Sequence, residues 1–156
     1  MSTQAPAYVA GEIPADAKFA IVAARFNAEI VEELLNGCQR RLGELKIGAD
    51  RIAVFRVPGA FELPVAAKWA TKSYSAVICL GAVVRGDTPH FEYVAGEAAR
   101  GIANVSIESG VPVIFGVLTT NTHQQALDRI GGSHGHAGER AAEAAVEMVV
   151  LKAKIS

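Results

Sequence analysis

The sequence has few cysteines and almost no net charge, and each shortage narrows the classes of protein to consider. Its 156 residues include only two cysteines, and the charged residues nearly balance, leaving a net charge of −1. Such a balance gives no sign of a nucleic-acid partner or an anionic membrane partner. Cys38 and Cys79 have no metal-type spacing, so we expect two buried, reduced thiols, with a disulfide as the open alternative.

Long hydrophobic runs are lacking as well. The longest uninterrupted segment of apolar residues and glycine covers residues 76–84, far short of the roughly 20 residues that a membrane-spanning helix needs. Residues 1–16 have neither the basic region nor the apolar region of a secretory signal. We therefore expect a cytoplasmic protein with no membrane partner.

Apolar side chains are nevertheless abundant, at 51% of the chain with a mean hydropathy of +0.26. A chain of this length fits one small domain, which must also cover its own surface with polar groups. Because the apolar content is high for such a domain, we expect part of its apolar surface to lie against other subunits. Residues 1–17 contain Pro6 and Pro14 and show no periodicity. We predict an N-terminal arm, residues 1–17, that becomes ordered against a neighbouring molecule, followed by a single domain, residues 18–156.

Strand and helix patterns alternate four times along this domain. The patterns predict strands at residues 18–24, 51–57, 76–80 and 112–119, and helices at about 28–43, 61–72, 88–109, 122–130 and 139–154. This alternation is typical of an α/β three-layer sandwich, flavodoxin-like, with a four-stranded parallel sheet and helices on both faces. Ligands of such sheets bind at the carboxyl ends of the strands.

The stretch from Ala76 to Gly96 carries the clearest candidate site. Gly86 supplies a turn, and Thr88 and Pro89 are residues that cap and begin helices. His90 would then lie in the first helical turn, beside free backbone N–H groups and the positive end of the helix dipole. Such a turn can hold an anion and favours a neutral, proton-accepting histidine. The alternative is that His90 is an ordinary polar residue of the turn.

Three further histidines raise the possibility of a metal site. His123, His134 and His136 lack supporting cysteine or carboxylate spacing, so we interpret them as solvated loop residues and predict no bound metal. The glycine-rich loop at residues 131–138 lacks the GK[ST] ending of a phosphate-binding loop and does not follow a strand. A nucleotide cradle is therefore not expected there.

Two other classes of α/β protein fit the alternation less well. A phosphoacceptor signalling domain needs an aspartate at the end of its third strand and an acidic pair after the first. A flavin mononucleotide domain of the flavodoxin type needs a hydroxyl-rich loop after the first strand. The corresponding segments read CLGAVV and AARFN, which disfavours both.

Four strand-end segments together resemble one family. They are RFN at 25–27, PGAFELP at 58–64, GAVVRGDTPHFEYV at 81–94, and PVIFGVLTTNT at 112–122 with ALDR at 126–129. The chain is similar, from about residue 18 to residue 150, to the 6,7-dimethyl-8-ribityllumazine synthases of riboflavin biosynthesis. The resemblance implies condensation of 5-amino-6-(D-ribitylamino)uracil with 3,4-dihydroxy-2-butanone 4-phosphate, releasing phosphate and two waters without metal or organic cofactor. The nucleophile is the substrate amine, in agreement with a sequence that shows no nucleophile–base pair.

The resemblance also implies a role for each matching residue. His90 would be the catalytic acid/base. The pyrimidine would be held by the Phe26 ring and by backbone groups of Ala82, Val83 and Val84, its ribityl chain by Ala60, Phe61 and Glu62, and Phe115 would approach from a neighbouring subunit. Asp87, through its backbone, with Thr88 and Arg129 would bind the phosphate of the butanone.

The chain departs from the family pattern near its last helix. Many members carry a lysine where this chain has Ala137, so one positive charge near the phosphate is missing, and His136 or Arg140 are the residues that could replace it. This departure leaves an alternative function: a catalytically weakened, shell-forming or flavin- or pyrimidine-binding paralogue.

The resemblance also carries an expectation about assembly. Family members form homopentamers, often twelve of them in a shell of sixty subunits. We expect such a shell, with a free pentamer as the alternative, and riboflavin synthase as a partner suggested by the pathway.

Overall fold

The computed structural model describes residues 4–156. A sheet of four parallel strands lies at the centre of the fold. The elements are β1 Phe19–Ala24, α1 Ala28–Glu44, β2 Ile52–Val57, α2 Leu63–Ala70, β3 Ala76–Val84, α3 His90–Ser109, β4 Val113–Thr120, α4 His123–Leu127, β5 Ile130–Gly132, β6 Gly135–His136 and α5 Ala137–Ile155. Strands and helices therefore alternate through the sheet as the sequence predicts.

The strand order is β2-β1-β3-β4, and each neighbouring pair is parallel. Every residue of β1 is buried, because this strand lies between β2 and β3 and is covered on both faces. Its sequence, FAIVAA, is the continuous apolar run typical of such a strand. The prediction of a flavodoxin-like α/β fold with a four-stranded parallel sheet is confirmed.

Helices cover both faces of the sheet, and each face has its own apolar core. Ile30 and Leu34 of α1 pack with Val146 of α5 on one face. Leu63 of α2 and Ile102 of α3 pack on the other. The arrangement is the three-layer sandwich expected from the sequence. No helix within residues 4–156 is long and apolar enough to cross a bilayer.

β3 extends beyond its predicted end. The sequence suggested that Gly81 ends the strand after Leu80, but β3 continues to Val84 and pairs with β4 as far as Thr120. A Cβ atom at position 81 would lie 3.3 Å from the side chain of Leu63. Gly81 therefore allows α2 to approach the strand and does not end it.

The predicted glycine-rich loop is a small β-hairpin instead. β5 and β6 pair antiparallel, and Gly131 and Gly135 have φ angles of 103° and 76°, which glycine adopts without the steric penalty of a side chain. The hairpin uses residues assigned to helix and loop, so α4 ends at Leu127 and α5 begins at Ala137.

The described part of the N-terminal arm contacts α1 and α5 of its own chain. The Arg41 guanidinium lies 5.5 Å from the centre of the Tyr8 ring, and the Val9 N–H donates a hydrogen bond to the Glu147 carboxylate. A Cβ atom at Gly11 would come within 2.6 Å of the Val150 side chain. The arm therefore packs closely along the α1 and α5 layer.

Both cysteines are buried and unpaired. Burial raises the pKa of Cys38 and of Cys79 to about 12, so both groups are protonated thiols near neutral pH. The expectation of two buried, reduced thiols is confirmed.

Candidate active site

A cleft of about 470 Å³ lies at the carboxyl ends of β1 and β3, beside the start of α3. It is lined by Phe26, Asn27, Gly59, Ala60, Phe61, Glu62, Ala82, Val83, Val84, His90, Tyr93 and Val94. Eight of the twelve site residues named from the sequence are in this set. They come from three separate segments of the chain, which the parallel sheet brings to one edge.

Aromatic rings dominate the mouth of the cleft. The side chains of Phe26, Phe61 and Tyr93 are 71%, 57% and 68% exposed. Three large aromatic side chains so exposed around one cleft indicate a surface that binds a ligand or another subunit. The backbone N–H of Phe26 donates to the Pro58 carbonyl at 3.1 Å, so the end of β1 is tied to the turn after β2. These rings offer flat apolar faces for a planar ligand or a neighbouring subunit.

Asn27 begins α1, but not as a side-chain cap. Its backbone is left-handed, with φ 57° and ψ 48°, and its side chain makes no capping bond. The amide Nδ2 instead donates to the Ala82 carbonyl at 2.8 Å. Asparagine is a common capping residue before a helix, but here its amide joins the ends of β1 and β3 instead.

Glu62 lies in a tight turn that brings its carboxylate back over the chain. Its Oε1 accepts a hydrogen bond from the Gly59 N–H at 2.9 Å. A Cβ atom at Gly59 would lie 3.0 Å from the Phe26 ring, so glycine allows the turn and the ring to approach. A carboxylate can accept several hydrogen bonds, and Glu62 therefore retains acceptor capacity for a ligand hydroxyl.

His90 is the first residue of α3, with Pro89 immediately before it. Its side chain is exposed and lines the cleft. The His90 N–H lies 3.4 Å from the Thr88 hydroxyl oxygen, so Thr88 contributes a long capping contact. Asp87 and Thr88 are exposed in the loop that leads to His90 and do not line the cleft. The first N–H groups of a helix have no carbonyl partner within it.

Phe115 and Arg129 lie outside the cleft. Phe115 is in the edge strand β4, opposite Cys79, and is 44% exposed. Arg129 follows α4, where its Nη1 donates to the Gln125 carbonyl at 2.7 Å. Neither residue therefore lines the cleft of its own chain.

His136 and Arg140 are both engaged in holding the hairpin and α5. Nδ1 of His136 accepts from the backbone N–H groups of Gly138 and Glu139 at 3.1 and 3.4 Å, and burial lowers the pKa of this imidazole. Arg140 donates to the His134 carbonyl. These bonds do not favour either residue as a replacement for the family lysine at position 137.

The description of His136 as a solvated loop residue is wrong, because its ring caps α5. His123 and His134 are exposed: Nε2 of His123 is 3.9 Å from the Glu29 carboxylate, and Nδ1 of His134 is 3.1 Å from the Ser133 hydroxyl. Over residues 4–156, no three histidine, cysteine, aspartate or glutamate side chains cluster as a metal site would require.

Four residues of the cleft were not named as site residues from the sequence: Asn27, Gly59, Tyr93 and Val94. Tyr93 and Val94 follow His90 by three and four positions, which places them on the same helix face. Helical spacing from His90 was therefore a signal that could have found them. Asn27 could not be found in this way, because its contact with β3 spans 55 positions.

The sheet, with a cleft at the carboxyl ends of its central strands, is the arrangement typical of the class of α/β proteins that bind ligands at the strand ends. A sequence model of the 6,7-dimethyl-8-ribityllumazine synthase family matches residues 16–153. The chain is 50% identical over 149 residues to the 6,7-dimethyl-8-ribityllumazine synthase of Desulfotalea psychrophila, covering 94% of this chain and 96% of that one. It is 51% identical over 140 residues to that of Syntrophus aciditrophicus, covering 88% and 91%. The chain belongs to the 6,7-dimethyl-8-ribityllumazine synthase family.

Proposed function

We propose that the protein condenses 5-amino-6-(D-ribitylamino)uracil with 3,4-dihydroxy-2-butanone 4-phosphate to 6,7-dimethyl-8-ribityllumazine, the penultimate step of riboflavin biosynthesis. The observation that carries the proposal is one cleft that is lined by His90, Phe26 and Glu62, which come from three strand-end segments. Family membership over residues 16–153 supports the same reaction.

His90 is proposed as the acid/base. The substrate amine attacks the butanone carbonyl, and loss of water from the addition product gives an imine. Loss of a proton next to the imine then lets the phosphate leave, and ring closure releases the second water. An exposed imidazole at the cleft can take a proton from the attacking amine and return it to a leaving hydroxyl. Because the amine is the nucleophile, the protein acts by alignment and proton transfer.

The rest of the cleft is proposed to hold the pyrimidine and its ribityl chain. The Phe26 ring offers a stacking face, and the backbone of residues 82–84 runs along the floor. Glu62, Ala60 and Phe61 line the same cleft and are proposed to bind the ribityl hydroxyls, which can donate to the Glu62 carboxylate. These contacts fix the ring so that its amine faces His90.

The phosphate is proposed to bind at the loop before α3, where Asp87 and Thr88 precede the helix N-terminus. Arg129 is proposed to complete the phosphate site from a neighbouring protomer, and Phe115 to approach the pyrimidine ring from the same neighbour. Both lie outside the cleft of their own chain, and Phe115 is exposed on an edge strand. A shared site requires a homo-oligomer, so we propose a pentamer, assembled into a sixty-subunit shell, in the cytoplasm. Riboflavin synthase, which consumes the product, is its proposed partner.

The reaction is tested with the purified protein and both substrates. We expect formation of a product with lumazine absorbance and fluorescence, faster than the uncatalysed condensation. The alternative paralogue, suggested by Ala137, would bind a flavin or pyrimidine without turnover. Binding without acceleration would therefore reject the enzyme and favour the paralogue. Sedimentation velocity separates a shell from a free pentamer.

A mixed-oligomer experiment tests whether the site is shared. His90→Ala and Arg129→Ala chains are co-expressed with different affinity tags, and hybrid particles are purified through both tags. In a random mixture with equal amounts of each chain, about a quarter of the interfaces combine an intact His90 with an intact Arg129 from the neighbour. We expect hybrids to recover activity that neither parent has. No recovery in hybrid particles would place both residues in the same protomer's site.

A further inference from the structure

Arg85 makes a set of contacts that none of the site assignments explains. It lies just after β3 and outside the cleft, and its backbone N–H donates to the Thr120 carbonyl at 2.8 Å. This bond continues the pairing of β3 with β4 past the last strand residues. The backbone of Arg85 is therefore fixed, and its side chain extends from a rigid point.

The guanidinium of Arg85 contacts the first turn of α3, which follows the loop formed by residues 86–89. It donates through Nη1 to the Glu92 carboxylate, and its Cζ lies 4.3 Å from the centre of the Phe91 ring. The loop therefore starts next to Arg85 in the sequence, and the Arg85 side chain contacts two residues in the helical turn that follows the loop. The hydrogen bond from Arg85 lowers the pKa of Glu92, so this pair is ionised near neutral pH.

A third contact joins the Arg85 side chain to the residue that follows β4. Nε of Arg85 donates to Oδ1 of Asn121 at 2.9 Å. Asn121 is itself held, because its N–H donates to Oε1 of Gln125 at 2.8 Å. The planar guanidinium, with donors in fixed directions, can satisfy Asn121 and Glu92 together while its face covers a ring. A lysine ammonium cannot reproduce that geometry.

We propose that Arg85 is a positioning residue for the phosphorylated substrate: by joining Asn121, Phe91 and Glu92 it holds the loop at residues 86–89 in the shape that receives the phosphate. The inference rests on the proposed function. The loop is exposed along its whole length, and a Cβ atom at Gly86 would meet nothing within 4 Å. Packing from the described residues therefore gives Gly86 little restraint, and the Arg85 contacts supply it from both ends. A loop ordered in advance binds its ligand without a further loss of chain entropy.

A competing explanation is that Arg85 attracts the phosphate by its charge alone. The two explanations differ for Glu92→Ala, which removes one of the Arg85 contacts and also removes a negative charge near the loop. Positioning predicts weaker phosphate binding in this variant, whereas simple charge attraction predicts tighter binding. They also differ for Arg85→Lys, which keeps the charge and loses the geometry.

The experiment measures four variants of the full-length protein. Arg85→Lys and Glu92→Ala are compared with Arg100→Lys and Glu97→Ala, which make the same changes at an exposed pair elsewhere on α3. The readouts are the binding of inorganic phosphate by calorimetry, the KM for each substrate, kcat and the thermal midpoint. We expect Arg85→Lys and Glu92→Ala to weaken phosphate binding and to raise the KM of the butanone about tenfold or more, since small misplacements have large effects. The KM of the pyrimidine and both control variants should change less than about twofold.

The other outcomes decide separately on the positioning role of Arg85 and on the proposed function. Normal phosphate binding in Arg85→Lys, or tighter binding in Glu92→Ala, overturns the positioning role. Equal losses for both substrates together with a lower thermal midpoint show that Arg85 supports only the fold, which also overturns it. If the wild-type protein forms no lumazine, the proposed function fails on its own. Phosphate binding that still depends on Arg85 and Glu92 would then support the positioning role of Arg85, even though the proposed reaction is rejected.

Discussion

The long helices α3 and α5 both begin beside a histidine, and these two histidines have opposite environments. His90 is the first residue of α3, exposed and facing the cleft. His136 precedes α5, and its Nδ1 accepts hydrogen bonds from the backbone N–H groups of Gly138 and Glu139. A helix N-terminus can therefore leave an imidazole available to a ligand or use it as its own cap.

Glycines at two positions explain the enclosed environment of His136. A Cβ atom at Gly37 of α1 would lie 2.0 Å from the His136 ring, and one at Gly138 of α5 would lie 2.1 Å from the Leu34 carbonyl oxygen. The two helices can approach and hold the ring between them only because both side chains are absent. At the start of α3, by contrast, Pro89, the preceding loop and His90 itself are all exposed.

Removing the His90 imidazole should have the largest effect on turnover. We expect His90→Ala to lower kcat by about 10²-fold or more, the usual contribution of a positioned acid/base, with a much smaller change in substrate binding. The measurement is steady-state formation of the lumazine. His136→Ala is the matched control, and its kcat per folded molecule should stay close to that of the wild type. Similar losses in the two variants would remove the functional distinction between the two helix starts.

Introducing a methyl group at Gly138 should destabilise the α1 and α5 contact strongly. In Gly138→Ala the new Cβ would overlap the Leu34 carbonyl oxygen, and because backbone cannot rotate away, the helices must separate. We expect a loss of about 1–3 kcal/mol in the free energy of unfolding. Thermal or denaturant unfolding measures it, and an unchanged midpoint would show that α1 and α5 are less closely packed than described.

The sequence predicts the sheet and the start of α3 at His90 far better than it predicts the packing around the start of α5. β1 could be predicted because its six apolar residues form one short, continuous run, and such a run depends on local sequence. The cleft residues around Phe26 and His90 could be named because the resemblance placed them. Asn27, by contrast, contacts Ala82 across 55 positions, and His136 occupies a space left by Gly37, 99 positions away along the printed sequence. Contacts of that range leave no local pattern.

The same reason accounts for the two element boundaries that were wrong. Gly81 reads as a strand end, yet its missing side chain makes room for Leu63 of a helix in another part of the chain. The residues from 131 to 138 read as a loop because they are rich in glycine, yet positive φ angles at Gly131 and Gly135 shape a hairpin. A glycine in a sequence is compatible with a strand end, a loop, a turn or a close contact, and only the surrounding fold decides between these possibilities.

A methyl group at Gly37 should have a smaller effect than one at Gly138. The Cβ of Gly37→Ala would meet the His136 ring, which can rotate away and give up its capping bonds, so we expect a loss of about 1 kcal/mol in the free energy of unfolding. Gly43→Ala, also in α1, is the matched control because nothing lies within 4 Å of its Cβ position, and it should be neutral or stabilising. Equal effects at positions 37 and 43 would contradict the enclosed placement of the ring.

The smallest effect concerns the pH dependence of stability. Burial, which outweighs the opposing charge of Glu139, lowers the pKa of His136 below its ordinary value of 6.5, and Nδ1 can accept from Gly138 only when it is unprotonated. The unfolded chain therefore binds a proton more readily, so this contribution to stability is complete above about pH 6.5 and is lost as the pH falls through the lower, folded-state pKa. Asparagine caps helices without titrating. His136→Asn should consequently lose less stability than the wild type between about pH 7.5 and pH 5, as measured by thermal midpoints at each pH. Parallel pH profiles for the two proteins would mean that the cap does not depend on the protonation state of His136.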